Sequence, residues 1–364
     1  MSKIKNVAIL CCGLDTVRRG YETHTRVLFN ELQQEQECRF ILFKRDGEQL
    51  CNEIPLKSPY RYGFLCQKLK LLRGDHLYWE SVFFSLYFFI HTLFYFKRFN
   101  TISCIEPMTA KVLYFLKFWL PGKPQIILTH GVTNTPAQIY FTADKIHQVN
   151  IENYLKMEDY CKKHQLKNKQ VLIPHFLTRL PPIKLTNDEI REKYKIPNGN
   201  ILLSVGAIEA VQKRTKYIFQ EFENLPNNWI LVVCGKIQDK NLHQKFKNRL
   251  KERYINLYLP NAEMKYLYKI ATIFVQASIN EGFGMVLLEA MRQGLPCFAH
   301  NRPLFKWILK SETTLVNMNN KNELSSRIIN LEKELSLIGK HQFEIFNNHF
   351  EWEKVKSDYK NLLI

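Results

Sequence analysis

Among the nine cysteines no two stand in a Cys-x-x-Cys pair. That removes the usual spacing of a zinc site. Their number is odd and several fall in strand-like runs, which points to reduced, buried thiols and a cytosolic setting. No Asp-x-Asp pair is present to carry a divalent ion. No repeat of about 20–50 residues and no low-complexity tract occurs. The first six residues lead directly into the strand-like run Val7-Ala-Ile-Leu10, without a secretory apolar segment. The longest apolar stretch, residues 81–96, contains His91 and stops at Lys97-Arg98. It is shorter than the roughly 18 residues of a membrane span, so a buried or interfacial helix is expected. Acid is scarce as well: 34 Asp and Glu face 52 Lys and Arg, a formal charge of +18. Such a balance calls for an anionic partner.

What is present is a folding composition, 46% hydrophobic and 24% charged over 364 residues. That length suits two domains better than one core. Strand-like and helix-like segments alternate through both halves. In the first, apolar runs at 7–12, 38–43, 101–105 and 125–129 read as strands, with helices at 21–32 and 108–120 between them. Residues 171–175 look like the last short strand of this half, and Leu180-Pro-Pro182 marks a linker. The second half restarts with a helix at 187–194 and strands at 201–205, 229–235, 255–259, 273–277 and 296–299. Helices are expected at 323–335 and 352–363. Alternation of this kind predicts two doubly wound, Rossmann-like parallel sheets.

Residues 277–296 are the stretch with chemistry. A strand runs into a polar Gly turn, and a helix starts near Gly284 and ends near Gly294. First-turn amides and the positive end of a helix dipole suit phosphate. Glu281 lies in the turn, and Glu289 interrupts the apolar run Met-Val-Leu-Leu-Glu-Ala-Met. A carboxylate in such a run has to accept hydrogen bonds, and sugar hydroxyls are suitable donors. Lys213-Arg214 follows the strand that ends at Val205-Gly206. In a doubly wound sheet that turn and the Gly284 turn share the carboxyl edge, where cations stabilise a diphosphate leaving group. In the first half, Thr129-His130-Gly131 puts a histidine at the same kind of strand end. Residues 60–73 mix aromatic, Leu and basic positions, a pattern that suits an anionic bilayer surface.

Asn280-Glu-Gly-Phe-Gly-Met-Val-Leu-Leu-Glu289 resembles the E-x7-E motif of the retaining glycosyltransferases of the GT-B fold, specifically family four. The resemblance covers nearly the whole chain. It implies a first domain at 1–180 that binds the acceptor and a second at 181–345 that binds a nucleotide sugar across a cleft. A helix at 346–364 would cross back to the first domain. It implies that Glu281, with Gly282 and Phe283, meets the donor sugar and Glu289 the ribose. Gly284, Met285 and Val286, with Lys213 and Arg214, would hold the diphosphate, and His130 would act beside the reacting sugar. Arg19, Gly20 and Tyr21 replace the family's double-Gly loop, and Ala207 stands where many members have Arg.

The implied reaction is metal-independent, retaining transfer from a UDP- or GDP-linked sugar to a glycan, glycolipid or other acceptor hydroxyl, without a cofactor. The implied setting is the cytoplasm, peripherally at the inner face of the membrane, in cell-surface polysaccharide or glycolipid synthesis. A nucleotide-sugar epimerase or a phosphorylase of the same fold is the other enzymatic reading. The charge alone also suits a nucleic-acid-binding protein, but the basic residues scatter over many helices instead of forming a stripe interleaved with aromatics. No nucleic-acid partner is therefore expected.

Overall fold

The computed structural model describes residues 4–16, 20–71, 75–131 and 134–364. The chain divides into two compact units: Met1–His175 with Val355–Ile364, and Phe176–Lys354.

The first unit is built on β1 (Lys5–Cys11), β2 (Cys38–Lys44), β3 (Glu53–Pro55), β4 (Thr101–Cys104), β5 (Gln125–His130), β6 (Lys145–Gln148) and β7 (Gln170–Leu172). Its order is β3-β2-β1-β4-β5-β6-β7, and every pairing is parallel. Parallel strands are covered on both faces, so they read as unbroken apolar runs. Val7 to Leu10 and Ile126 to Leu128 are all but fully buried. The closing segment is anchored to this unit: Tyr359 donates to the Pro174 carbonyl at 3.1 Å, and Lys356 and Lys360 each meet Glu35 at 2.7 Å.

The second unit holds β8 (Asn200–Val205), β9 (Trp229–Cys234), β10 (Tyr254–Leu257), β11 (Ile273–Gln276), β12 (Cys297–His300) and β13 (Leu315–Val316). Its order, β10-β9-β8-β11-β12-β13, is again wholly parallel. In both sheets the strand order reverses beside the first strand. A crevice opens at that reversal on the carboxyl edge, where such sheets bind ligands. In the second unit the reversal lies between β8 and β11, the strands that deliver the Lys213 and Glu281 turns.

Several expected elements shift. The apolar helix runs His76–Phe94, because Asp75 caps it by accepting the Tyr78 amide at 2.8 Å. Among the described residues of the basic segment at 60–73, a helix forms over Phe64–Lys70. All nine cysteines are free thiols; eight are buried, and Cys51 is exposed, against the expectation.

Candidate functional site

In the second unit the site begins with two glycines. A Cβ built on Gly235 would lie 1.8 Å from the Gly206 carbonyl oxygen, so β8 and β9 approach each other too closely for a side chain. Gly206 itself has φ +150°, and a Cβ there would touch Lys213 Cδ at 3.3 Å. The lysine therefore lies across bare backbone. We expect Gly235→Ala to cost about 1–3 kcal/mol, as overpacked substitutions do. It would shift the Gly206 turn, which a melting curve and a donor-binding assay would register together.

The turn that carries Lys213 is folded around one carboxylate. Glu209 accepts the amides of Val211 at 2.8 Å and Gln212 at 2.9 Å, and that of Lys213 as well. These bonds hold the Glu209 carboxyl below its usual range, against the desolvation that would raise it. The Ile279 amide donates to the Gln212 carbonyl at 3.2 Å, tying this turn to the one after β11. Across that tie the Lys213 ammonium pairs with Glu281, whose Oε1 also accepts from Gln276 Nε2 at 2.9 Å. Both members of the pair are partly buried. Lys213 and Glu281 thus meet, as their placement at one sheet edge requires.

Arg214 diverges from its neighbour. Its backbone is left-handed (φ 54°), and its guanidinium donates to the Met318 carbonyl and lies 5.2 Å from the Tyr217 ring centre. The helix after the Glu281 turn runs Met285–Met291, with Gly284 at φ 95° as its N-cap. Met285, Val286 and Glu289 share its partly exposed side, while Leu287, Leu288, Ala290 and Met291 are buried. The amides of Met285 and Val286 have no partner four residues back within the helix. Glu289 accepts the Tyr268 hydroxyl at 2.8 Å. Burial pushes the Glu289 carboxyl up, and that hydroxyl and Arg292 only partly offset it. Phe283 is buried against Trp307 and Phe350, ring centres 6.0 and 6.3 Å away, and anchors the turn in which Gly282 lies.

In the first unit His130 ends β5 and is buried. Its Nδ1 bonds Gln148 Oε1 at 2.9 Å, and its Nε2 is buried with no hydrogen-bond partner among the described residues. Burial lowers its pKa, against the bond to Gln148 that raises it. Gly20 opens the helix Gly20–Leu32, and Tyr21 follows with its hydroxyl buried and without a partner among the described residues. A Cβ on Gly131 would fall 1.5 Å from that hydroxyl, so Gly131 is what admits Tyr21. Arg19 lies outside the described residues.

A cavity of about 780 Å³ lies beside Tyr21 and Gly131. Its wall includes Glu106, a residue the sequence reading did not single out. Glu106 ends the loop after β4, at this sheet's own reversal point, and its Oε1 accepts the Cys12 amide at 2.9 Å. Its other carboxyl oxygen is buried without a partner among the described residues, and burial pushes its pKa up to about 7. The visible signal was an acid at a strand end directly before Pro107, the first residue of the helix Pro107–Leu116. Much of the cavity's polar wall is already committed. Arg61 pairs with Glu80, Asp75 caps its helix, Thr129 meets His147, and Thr142 donates to Ile139. Leu77, Ile105, Met108 and Phe141 supply apolar wall.

Two wholly parallel, doubly wound sheets, with the Lys213 and Glu281 turns at the second one's reversal point, define a GT-B architecture. Solved structures share it over the whole chain. Sucrose-phosphate synthase from Thermosynechococcus elongatus has a TM-score of 0.77 at 18% identity, covering 98% of each chain. Anabaena Alr3699/HepE, solved in complex with UDP and glucose, has a TM-score of 0.72 at 11% identity, covering 99% of each. Residues 186–340 match the family model of glycosyl transferases group 1. The O-antigen chain mannosyltransferase RfbU of Salmonella typhimurium is 25% identical over 226 residues, 52% of this chain and 59% of the relative. The chain thus spans less than two thirds of that relative's length.

Proposed function

We propose that the protein transfers a sugar from a UDP- or GDP-linked donor to an acceptor hydroxyl with retention of configuration, in cell-surface polysaccharide or glycolipid synthesis at the cytoplasmic face of a membrane. The observation that carries this reading is the Lys213–Glu281 pair at the reversal point of the second sheet. A sugar diphosphate satisfies both halves of that pair: phosphate oxygens take the ammonium, and sugar hydroxyls donate to the carboxylate. The first-turn amides at Met285 and Val286 add donors to the phosphates. Glu289, oriented by Tyr268, accepts from the ribose. As the glycosidic bond breaks, negative charge grows on the diphosphate, and Lys213 with those amides stabilises it. The sugar passes through an oxocarbenium-like state. In this reading the acceptor enters the cavity beside Tyr21, and His130 acts on the reacting sugar.

A panel of nucleotide sugars read by thermal shift tests the donor site. At about 100 times Kd, binding stabilises by roughly 2.7 kcal/mol, a rise of about 5–10 °C for a unit of this size. One UDP- or GDP-linked sugar is expected to give that rise, and Glu281→Ala to remove it. A melting curve unmoved by every member of the panel sinks the proposal. Product analysis with and without acceptor then separates transfer from epimerisation or phosphorolysis.

A further inference from the structure

The helix His76–Phe94 is packed the wrong way round for a helix that faces water. Its buried side carries Glu80, Ser81, Ser85 and Thr92, each no more than 1% exposed. Three of these polar groups are accommodated internally: Glu80 pairs with Arg61 at 2.7 Å, Ser85 donates to the Ser81 carbonyl at 2.6 Å, and Thr92 to that of Phe88 at 2.8 Å. The outward side carries Leu86, Tyr87, Ile90, Leu93 and Phe94, with Ile90 60% and Phe94 78% exposed. Residues 86, 90, 93 and 94 fall on one stripe at helical spacing.

The stripe continues beyond the helix. Tyr95 and Phe96 extend it into the turn before β4, where Phe96 is 82% exposed. The turn before β5 lies alongside, since a Cβ on Gly122 would meet the Phe99 carbonyl oxygen at 3.1 Å and Arg98 Cβ at 3.6 Å. That second turn exposes Phe118 and Trp119, at 70% and 62%, with Phe115 just before them. Soluble surfaces rarely gather so many large apolar side chains in one place. Between them, residues 94–99 and 117–123 contain Lys97, Arg98, Lys117 and Lys123 and no acid.

We propose that this face of the first unit docks on an anionic lipid surface, with the outward stripe of the 76–94 helix and the Phe118-Trp119 turn entering the headgroup boundary. Aromatic and aliphatic side chains there would be covered by acyl chains, while Lys97, Arg98 and Lys123 reach the phosphates; Lys117 is held by Asp144. Cations in both turns beside the apolar stripe favour this occupant over a second copy of the chain. Two copies would set the +18 charge against itself. The helix is seated on the fold by its polar side and by Phe84 and Phe88, both buried, so it lies along the surface and does not cross it. The segment at 60–73, expected from its pattern to serve this role, contributes only a seven-residue helix.

Flotation with phosphatidylglycerol-containing vesicles at about 0.15 M salt tests it. The intact protein is expected to float with these and to stay behind with phosphatidylcholine alone. Ile90→Ser, Phe94→Ser, Phe118→Ser and Trp119→Ser combined are expected to weaken binding at least tenfold and leave the melting temperature unchanged, since all four side chains are exposed. Lys213→Ala, in the other unit, is expected to float as the parent does, so the result is independent of the donor-site reading. Absence of flotation by the parent protein overturns the proposal, as does flotation of the quadruple variant at parental strength. A parental dimer that the quadruple variant converts to monomer, seen by light scattering, overturns it in favour of self-association.

Discussion

Lys213→Ala is expected to lower the transfer rate about 100- to 1000-fold, the usual loss when one preorganised donor to a developing charge is removed. The melting temperature should hardly move. The ammonium pairs with Glu281 at a partly exposed position, and such pairs contribute only about 0–1 kcal/mol to folding. The loss should fall mainly on kcat, because the charge Lys213 neutralises grows as the leaving group departs. Lys213→Arg should recover only part of it, since a planar fork does not replace a compact ammonium. Arg214→Ala should behave differently. Its Nη2 is engaged by the Met318 carbonyl and its guanidinium lies over the Tyr217 ring, so its removal should lower stability as well as rate. Equal rates for Lys213→Ala and the parent enzyme, measured at saturating donor, would remove Lys213 from the site.

Acid should weaken the first unit steeply between pH 7 and 5, above the range in which ordinary carboxylates protonate. Three buried histidines drive this, and His130, whose pKa burial also lowers, acts in the same direction. Burial, with His147 nearby, lowers the His24 pKa to about 3. Burial lowers that of His147 to about 4, although a bond to the Ile173 carbonyl opposes it. Burial, with His24 and His147 adding, takes His175 well below its normal value. Each folded-state value is depressed, so each contribution is complete above the unfolded pKa of about 6.5. Below it the unfolded chain takes up protons that the folded one refuses. Stability then falls by up to about 1.4 kcal/mol per pH unit for each histidine.

Glu106 opposes them. Its folded pKa, about 7, lies above its ordinary 4.5. The folded chain therefore keeps a proton through that window and gains stability as pH falls. One histidine is cancelled, leaving a net slope of about 3 kcal/mol per unit between pH 6 and 5. The loss between pH 7 and 5 comes to roughly 3–4 kcal/mol, a large share of a typical stability of about 5–15 kcal/mol. Trp79 and Trp119 lie in this unit, so fluorescence of urea unfolding at pH 7 and at pH 5 reports the difference. His24→Phe keeps a ring beside His175, 3.8 Å between ring centres, and should make it smaller. Equal stability at pH 7 and pH 5 would contradict the scheme.

Strands were legible wherever a parallel strand is covered on both faces and spells an apolar run, as at Ile201-Leu-Leu203. β6 was not: Lys145-Ile-His-Gln148 has one apolar residue, and its register comes from β5 and β7 on either side. The helices Pro303–Leu309 and Leu335–His349 also went unread. The first lies in a run too short for a period, and the second buries Gly339 and Gln342, small or polar residues that no hydrophobic pattern marks. Within the site, the meeting of Lys213 and Glu281 was foreseeable from strand order. The parting of Lys213 and Arg214 was not, because it depends on the left-handed backbone at Arg214. Glu106 was hidden for a similar reason: what sets it apart is its burial and its bond to the Cys12 amide, neither of which composition reveals.

Because Lys213 already has Glu281 for company, the paired turns are electrically quiet at the point where the proposed function puts an anion. On that proposal, inorganic phosphate would have to evict a carboxylate and leave it only the Gln276 amide. A complete donor would bring hydroxyls for the displaced acid along with oxygens for the base, so both residues would change partners together. Discrimination between an intact sugar nucleotide and inorganic phosphate would then rest on a single swap, before any contact with the base or the acceptor is made.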